Sequence, residues 1–274
     1  MNKLKFSNLN KKIIYLFLVC AVIFTAFQSF LVLKYYEAEV YLYAHGTVLP
    51  TVFNVLISLF IIVVLVYCSL CTCEGYSDKL AKCSGISRLF GLLASAALLA
   101  VGIYTLIGYN QRTAQLMYMS QKQDKFIFWS CVLSFGAFIY YFIFSILPEK
   151  LNKLKTLLGC ITVVWHILYL LSVYFDMTSP LNDPIRLMNE FALVGIMMYL
   201  TVEIRYLCGI PKKGFYIGAS TVAFTLLLCS SVSNILYALI VNGSLDTNIG
   251  IFVYQFFAAG YVLTRLLSQL KTKQ

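Results

Sequence analysis

Polar side chains are scarce in this chain, so the few that fall inside its apolar runs stand out. Asn54, Asn189, Glu190, Asn234 and Gln255 lie one or two helical turns from one end of such runs, with Gln28 at similar depth. An amide both donates and accepts hydrogen bonds, so amides gathered at one depth suit a polar or zwitterionic ligand. Glu190, beside Asn189, would add a negative charge and favour a cation or an amine. Ser230, Ser231 and Ser233 precede Asn234 and add hydroxyls. If these groups converge, they line a polar pocket open to one face of the protein. The competing reading is that each amide only bonds a neighbouring helix, a contact worth about 0.6 kcal/mol on average.

At the opposite end of the runs, Glu203 and Arg265 are the charged residues to explain. Asn189 and Glu203 are 14 positions apart, which puts them about 40° apart on one helix face. Glu203 then either pairs with Arg265 or carries a proton, and the ion pair is the simpler expectation. Arg205 must point elsewhere, towards lipid headgroups. His166 falls in the middle of its run. It reads as a hydrogen-bonded structural histidine, since no HExxH partner makes it a metal ligand. His45 has no such context.

Cys68, Cys71, Cys73 and Cys83 form a C-x2-C-x-C-x9-C series. That spacing matches no standard zinc or iron–sulfur pattern, so these cysteines read as small apolar residues or lipid-attachment sites rather than a metal centre. Asn242-Gly243-Ser244 fits a glycosylation sequon and equally an Asn-Gly turn. No nucleophile–base pair, paired acids or cofactor motif is present, so catalysis is not expected and no cofactor is implied.

These residues need a scaffold, and composition names it. Hydrophobic residues make up 61% of the 274 positions and charged residues 12%, with a mean hydropathy of +0.83. A soluble domain carries about 25% charged residues. So few charges cannot cover a water-facing surface, so lipid must cover the outside. Eight runs are long enough to cross a bilayer as helices: 13–33, 51–71, 87–109, 126–147, 156–175, 187–207, 215–241 and 250–270. They lack the strict alternation of barrel strands. The fold expected is all-α, a polytopic bundle of eight transmembrane helices over 13–270, with a tail of 1–12 before it and 271–274 after it. The first run is too long for a cleavable signal peptide.

The net charge of +10 is distributed as short Lys and Arg clusters between the runs. That pattern orients a protein in a bilayer, and no nucleic-acid signature accompanies it. With the N-terminus inside, fifteen basic residues flank the inner ends of the runs and five the outer ends. Both termini are therefore expected in the cytoplasm, with the protein in the cell membrane. The loops are too short for a soluble domain, which excludes an attached kinase or ATPase within these residues.

The second and sixth runs open alike, on Pro50 with Asn54 and on Pro184 with Asn189. Gly91 aligns with Gly218 and Gly136 with Gly260. The chain thus reads as two halves, 13–147 and 156–270, in a 4+4 parallel repeat of the kind some transporters use. Two functions remain open. The protein binds or moves a small polar solute through an outward-facing cavity, or it is a non-transporting sensor, assembly factor or subunit of a larger membrane complex. A subunit would use the small residues Gly91, Ala94, Ser95, Ala96 and Ala97 to meet a partner helix.

The topology is tested by labelling. Cysteines placed near Gln115 and Asn248 should react with an impermeant thiol reagent added to intact cells, and one near Asn152 should not. Reaction at Asn152 in sealed cells contradicts the N-in, eight-helix arrangement.

Overall fold

The computed structural model describes residues 6–37, 39–73, 76–77, 79–113, 121–146, 152–176, 180–241 and 249–271. Among them are eight helices long and apolar enough to cross a membrane. They are α1 (Lys11–Tyr35), α2 (Leu49–Leu70), α3 (Gly85–Thr113), α4 (Gln121–Ile146), α5 (Asn152–Tyr174), α6 (Pro184–Leu207), α7 (Lys213–Ile240) and α8 (Ile249–Lys271). The chain is a multi-pass membrane protein. All eight expected runs are helices, and most extend a few residues beyond their apolar stretch. The flanking Lys and Gln continue the backbone ladder while their polar heads can reach the interface. The proline openings also hold. Pro50 and Pro184 sit in first turns, where a missing N–H costs no helix bond, and the Asp183 side chain caps α6 by accepting from Ile185 N at 2.9 Å.

Two short strand pairs lie outside the helices. β1 (Phe6–Asn8) pairs in parallel with β4 (Cys71–Thr72) and ties the N-terminal segment to the end of α2. β2 (Tyr36–Glu37) and β3 (Leu42–Tyr43) form an antiparallel hairpin after α1.

Helix neighbours define the architecture. α3 packs on α4, α4 on α5, α5 on α6, α6 on α7, α7 on α8, and α8 returns to α3. Six helices thus close a ring, while α1 and α2 lie outside it against α7. α7 is covered on both sides. Its buried residues include Gly218, Ala219, Ser220, Thr221, Ala223 and Thr225, small side chains that let neighbours approach on all faces. The hydroxyls of Ser220, Thr221 and Thr225 satisfy themselves on carbonyls four residues back, at 2.6 to 2.8 Å. α2 is the opposite case. Val52, Val55, Leu56, Leu59, Ile62, Val63 and Val66 are exposed and form a lipid-facing apolar side.

The helix neighbours do not show the duplication expected from the sequence. α6 lies along α7, whereas its counterpart α2 lies against α7 and α1 instead of running along α3. The matched Pro and Gly positions reflect helix starts and close approaches that any apolar bundle needs. Several of the small residues of α3 pack in the interior. Gly91 faces Ser145 and the Tyr261 ring, and Ala94 and Ser95 are buried. Ala96 is exposed. Gly260 of α8 faces the Phe90 ring of α3, so a glycine on each helix permits the approach that closes the ring.

Candidate functional site

The ring interior carries a band of buried polar side chains running from Asn189 to Glu203, about 21 Å along α6. At the end where α1 begins and α8 finishes, Arg265 Nε donates to Glu203 Oε1 at 3.2 Å. The expected pair forms, and it is sealed: Glu203 is 0% exposed and Arg265 2%. A lone charge there would be costly, so the remaining lone pairs and protons need partners. Tyr199 hydroxyl donates to Oε1 at 2.9 Å and Tyr140 hydroxyl to Oε2 at 2.8 Å. Arg265 Nη1 donates to the Ala81 carbonyl at 2.6 Å and to Cys83 Sγ at 3.2 Å. One helical turn further along α8, Gln269 accepts from Ala81 N at 2.8 Å and donates to the carbonyls of Ser77 and Lys79. α8 therefore holds the segment after β4 over this end of the ring.

The middle of the band is built by aromatic hydroxyls and one histidine. The Tyr141 and Tyr254 hydroxyls are 3.0 Å apart, and Tyr254 hydroxyl lies 2.9 Å from His166 Nε2. His166 Nδ1 is 2.7 Å from the Thr162 carbonyl, so it carries the proton and Nε2 accepts from Tyr254. Trp165 packs edge-on against Tyr254, and Tyr261 against Tyr141. The Tyr261 hydroxyl is buried and has no hydrogen-bond partner in the protein.

Towards the other end, Gln255 Nε2 donates to Asn189 Oδ1 at 2.7 Å, and Gln255 Oε1 is left buried and unpartnered. Reversing both amides would put the Gln255 Nε2 donor at that position, so it lacks a partner among the described residues in either orientation. Asn234 Nδ2 donates to the Ser230 carbonyl at 2.8 Å, which fixes its orientation, and Asn234 Oδ1 and Ser230 Oγ have no partner. Asn234 is six residues from the end of α7 and Gln255 six from the start of α8, so both lie about 9 Å inside.

Three expected site residues are placed differently. Asn54 is exposed on the outward side of α2, away from the ring. Gln28 is buried, but its partner is the Tyr43 hydroxyl at 3.4 Å, between α1 and the β2–β3 hairpin. Glu190 is bonded by Arg186 Nε at 3.2 Å, so its charge is matched rather than offered to a ligand. Arg186 also donates to the carbonyls of Asp176 and Tyr174, fastening the end of α5 to the start of α6. Asn189, Asn234 and Gln255 are buried instead of lining an open mouth. His45 is exposed. The sequon at 242–244 lies outside the described residues.

The cysteines Cys68, Cys71 and Cys73 line a cleft between the end of α2 and the start of α7. Among the described residues no three His, Cys, Asp or Glu side chains converge as a metal site.

Tyr140, Tyr141, Tyr199 and Tyr254 are functional-site residues that the polar positions of the sequence did not single out. Two signals could have found them. Tyr199 is four residues before Glu203, on the same face, and Tyr140-Tyr141 lie 14 and 15 residues into the run at 126–147.

Asp183 gives this end of the bundle a pH response. Burial pushes its carboxyl from the usual 3.8 up to about 6, against the opposing pull of backbone N–H bonds, Tyr36 and Arg186. The folded protein then binds this proton more tightly than the unfolded chain. Its contribution to stability is full below about pH 4 and is lost as pH rises to about 6. Asp183→Asn keeps a good helix cap. Thermal unfolding in detergent should show a decline between pH 4 and 6 in the parent that the variant lacks. Equal slopes in both would contradict this assignment.

Comparison with protein-family models, with curated proteins and with solved structures finds no match to this chain, so function rests on the geometry of the ring interior.

Proposed function

We propose that the protein binds, and by exchanging it between the two faces moves, a small polar solute held among α6, α7 and α8. The observation that carries this is a set of leftover polar atoms: the acceptors Gln255 Oε1 and Asn234 Oδ1 and the Ser230 hydroxyl, buried and without a partner among the described residues, on adjacent helices at neighbouring depths. Amides that only joined helices would use their oxygens as well as their nitrogens, since an unmet buried acceptor costs about 1–3 kcal/mol. Here each nitrogen is spent inside the protein and the oxygens are left over. A solute that presents hydrogen-bond donors, such as an amine or an amide, complements them without needing a counter-charge. The Tyr254–His166 and Glu203–Arg265 groups extend the polar band through the membrane, as a transport path requires. The burial of Asn189, Asn234 and Gln255 corresponds to an occluded state. We further propose that the protein resides in the cell membrane with both termini in the cytoplasm, as the charge bias supports.

A second reading is a non-transporting membrane component. The observation that favours it is the peripheral position of α2, whose exposed apolar side could meet a partner helix in place of lipid.

Solute binding predicts that a compound with ammonium or amide donors raises the melting temperature of the purified protein. Asn234→Leu, which keeps the volume and removes the leftover oxygen, should abolish that rise by at least about tenfold in affinity, or 1.4 kcal/mol, while the protein still accumulates in the membrane. Loss of abundance in Asn234→Leu, with no separate binding defect, supports helix joining instead.

A further inference from the structure

We propose that the cleft between the end of α2 and the start of α7 is a binding site for a phosphate group. The cleft has a volume of about 900 Å³, and its walls include Arg205, Lys212, Lys213, Ser69 and Thr72. Three cationic residues thus line one cavity with Ser69 and with Thr72, whose hydroxyl donates to Asn8 Oδ1 at 2.8 Å, and no acidic side chain among the described residues lines it.

Arg205 carries the assignment. The other arginines inside the bundle are fully engaged: Arg186 with Glu190 and two carbonyls, Arg265 with Glu203, Ala81 and Cys83. Arg205 is half-buried, and its Nε is sealed from solvent with no hydrogen-bond partner. A guanidinium N–H removed from water and left unmet is costly, and the planar guanidinium fork that lines the cleft suits two oxygens of a tetrahedral phosphate. The start of α7 adds a second, independent feature. Its N-cap, Lys212, supplies no side-chain acceptor, so the first-turn N–H groups around Gly214 and Phe215 lack a side-chain cap. A helix N-terminus of this kind attracts an anion through its free N–H groups and its dipole.

The rest of the cleft is compatible with an anion. Lys213 donates to the Tyr76 carbonyl, which holds its charge at the wall. Burial pushes the Cys73 thiol up, so it stays neutral and does not repel. The Cys68 carbonyl lies against Gly214; its partial negative charge is small beside three full cations. The volume exceeds that of a bare phosphate, so the group belongs to a larger molecule. Two sources share this chemistry: the headgroup of an anionic phospholipid at the bilayer edge, and a soluble phosphorylated compound. The assignment stands independently of solute binding among α6, α7 and α8.

The full chain, reconstituted in phosphatidylcholine nanodiscs at fixed ionic strength, tests it. Inorganic phosphate against chloride probes the soluble source, and replacing part of the lipid by phosphatidylglycerol probes the headgroup. One of these additions should raise the melting temperature. Affinity should fall at least about fivefold for each charge removed in Lys212→Gln and Arg205→Gln. Lys212 is exposed and its removal leaves the fold intact, so this variant keeps the test valid even if Arg205→Gln unfolds. A rise with phosphate in pure phosphatidylcholine supports a soluble phosphate, and a rise with phosphatidylglycerol alone supports the headgroup. No rise with either, or a rise that Lys212→Gln leaves unchanged, overturns the proposal.

Discussion

A carboxylate and a guanidinium meet inside an apolar bundle at Glu203 and Arg265, and the surrounding structure is arranged to make that tolerable. Neither lipid nor neighbouring Leu and Ile can solvate an ion, so each charge needs its full complement of partners from the protein itself. Two tyrosines complete Glu203, and a loop carbonyl and a thiol complete Arg265. These partners come from α4, from α6 itself and from the segment after β4. The pair can therefore form only when the ring has closed and that segment has folded over its end. A local electrostatic demand thereby fixes long-range topology. The close approaches at Gly91 and Gly260 serve it by letting α8 reach the inside of the ring.

The same logic explains why α7 and α2 differ so much. α7 contacts α6 and α8 within the ring and α1 and α2 outside it. A helix enclosed on all sides must be slim, and small residues whose hydroxyls bond their own backbone make it so. α2 has one narrow face to bury, through Phe53, Ile57, Val64 and Cys68, and the rest of its surface is apolar because lipid is its solvent. In the ring interior, polarity is instead matched group by group along the band. Matching stops at the oxygens of Asn234 and Gln255 and the hydroxyls of Ser230 and Tyr261, which have no partner among the described residues. Arg205 is the corresponding unmet donor at the membrane edge.

The helices were legible in the sequence because a bilayer imposes a length of about 20 apolar residues, a signal that needs no knowledge of tertiary contacts. The Glu203–Arg265 pair was legible for a similar reason, since two buried charges at one depth have few alternatives. Asn54 was misplaced because position along a helix gives depth but not which way the side chain faces. Glu190 was read without Arg186, which lies one turn away and takes its charge. The tyrosines were missed because a phenol is apolar enough to belong anywhere in a membrane helix. Only the position of Tyr199 one turn from Glu203 hinted at a partner. The ring itself could not be read, because helix adjacency depends on which small residues face each other, and a 4+4 repeat was an equally economical account of the same glycines.

Glu203 and Arg265 act as one unit that holds the ring closed. A double-mutant cycle measures this most directly, with folding stability of Glu203→Gln, Arg265→Met and the combined variant determined by reversible unfolding in detergent. Each single replacement should cost about 3–5 kcal/mol, because it leaves a buried partner unmatched. The combined variant should lose distinctly less than the sum of the two. Additive losses, or single variants as stable as the parent, would contradict the account.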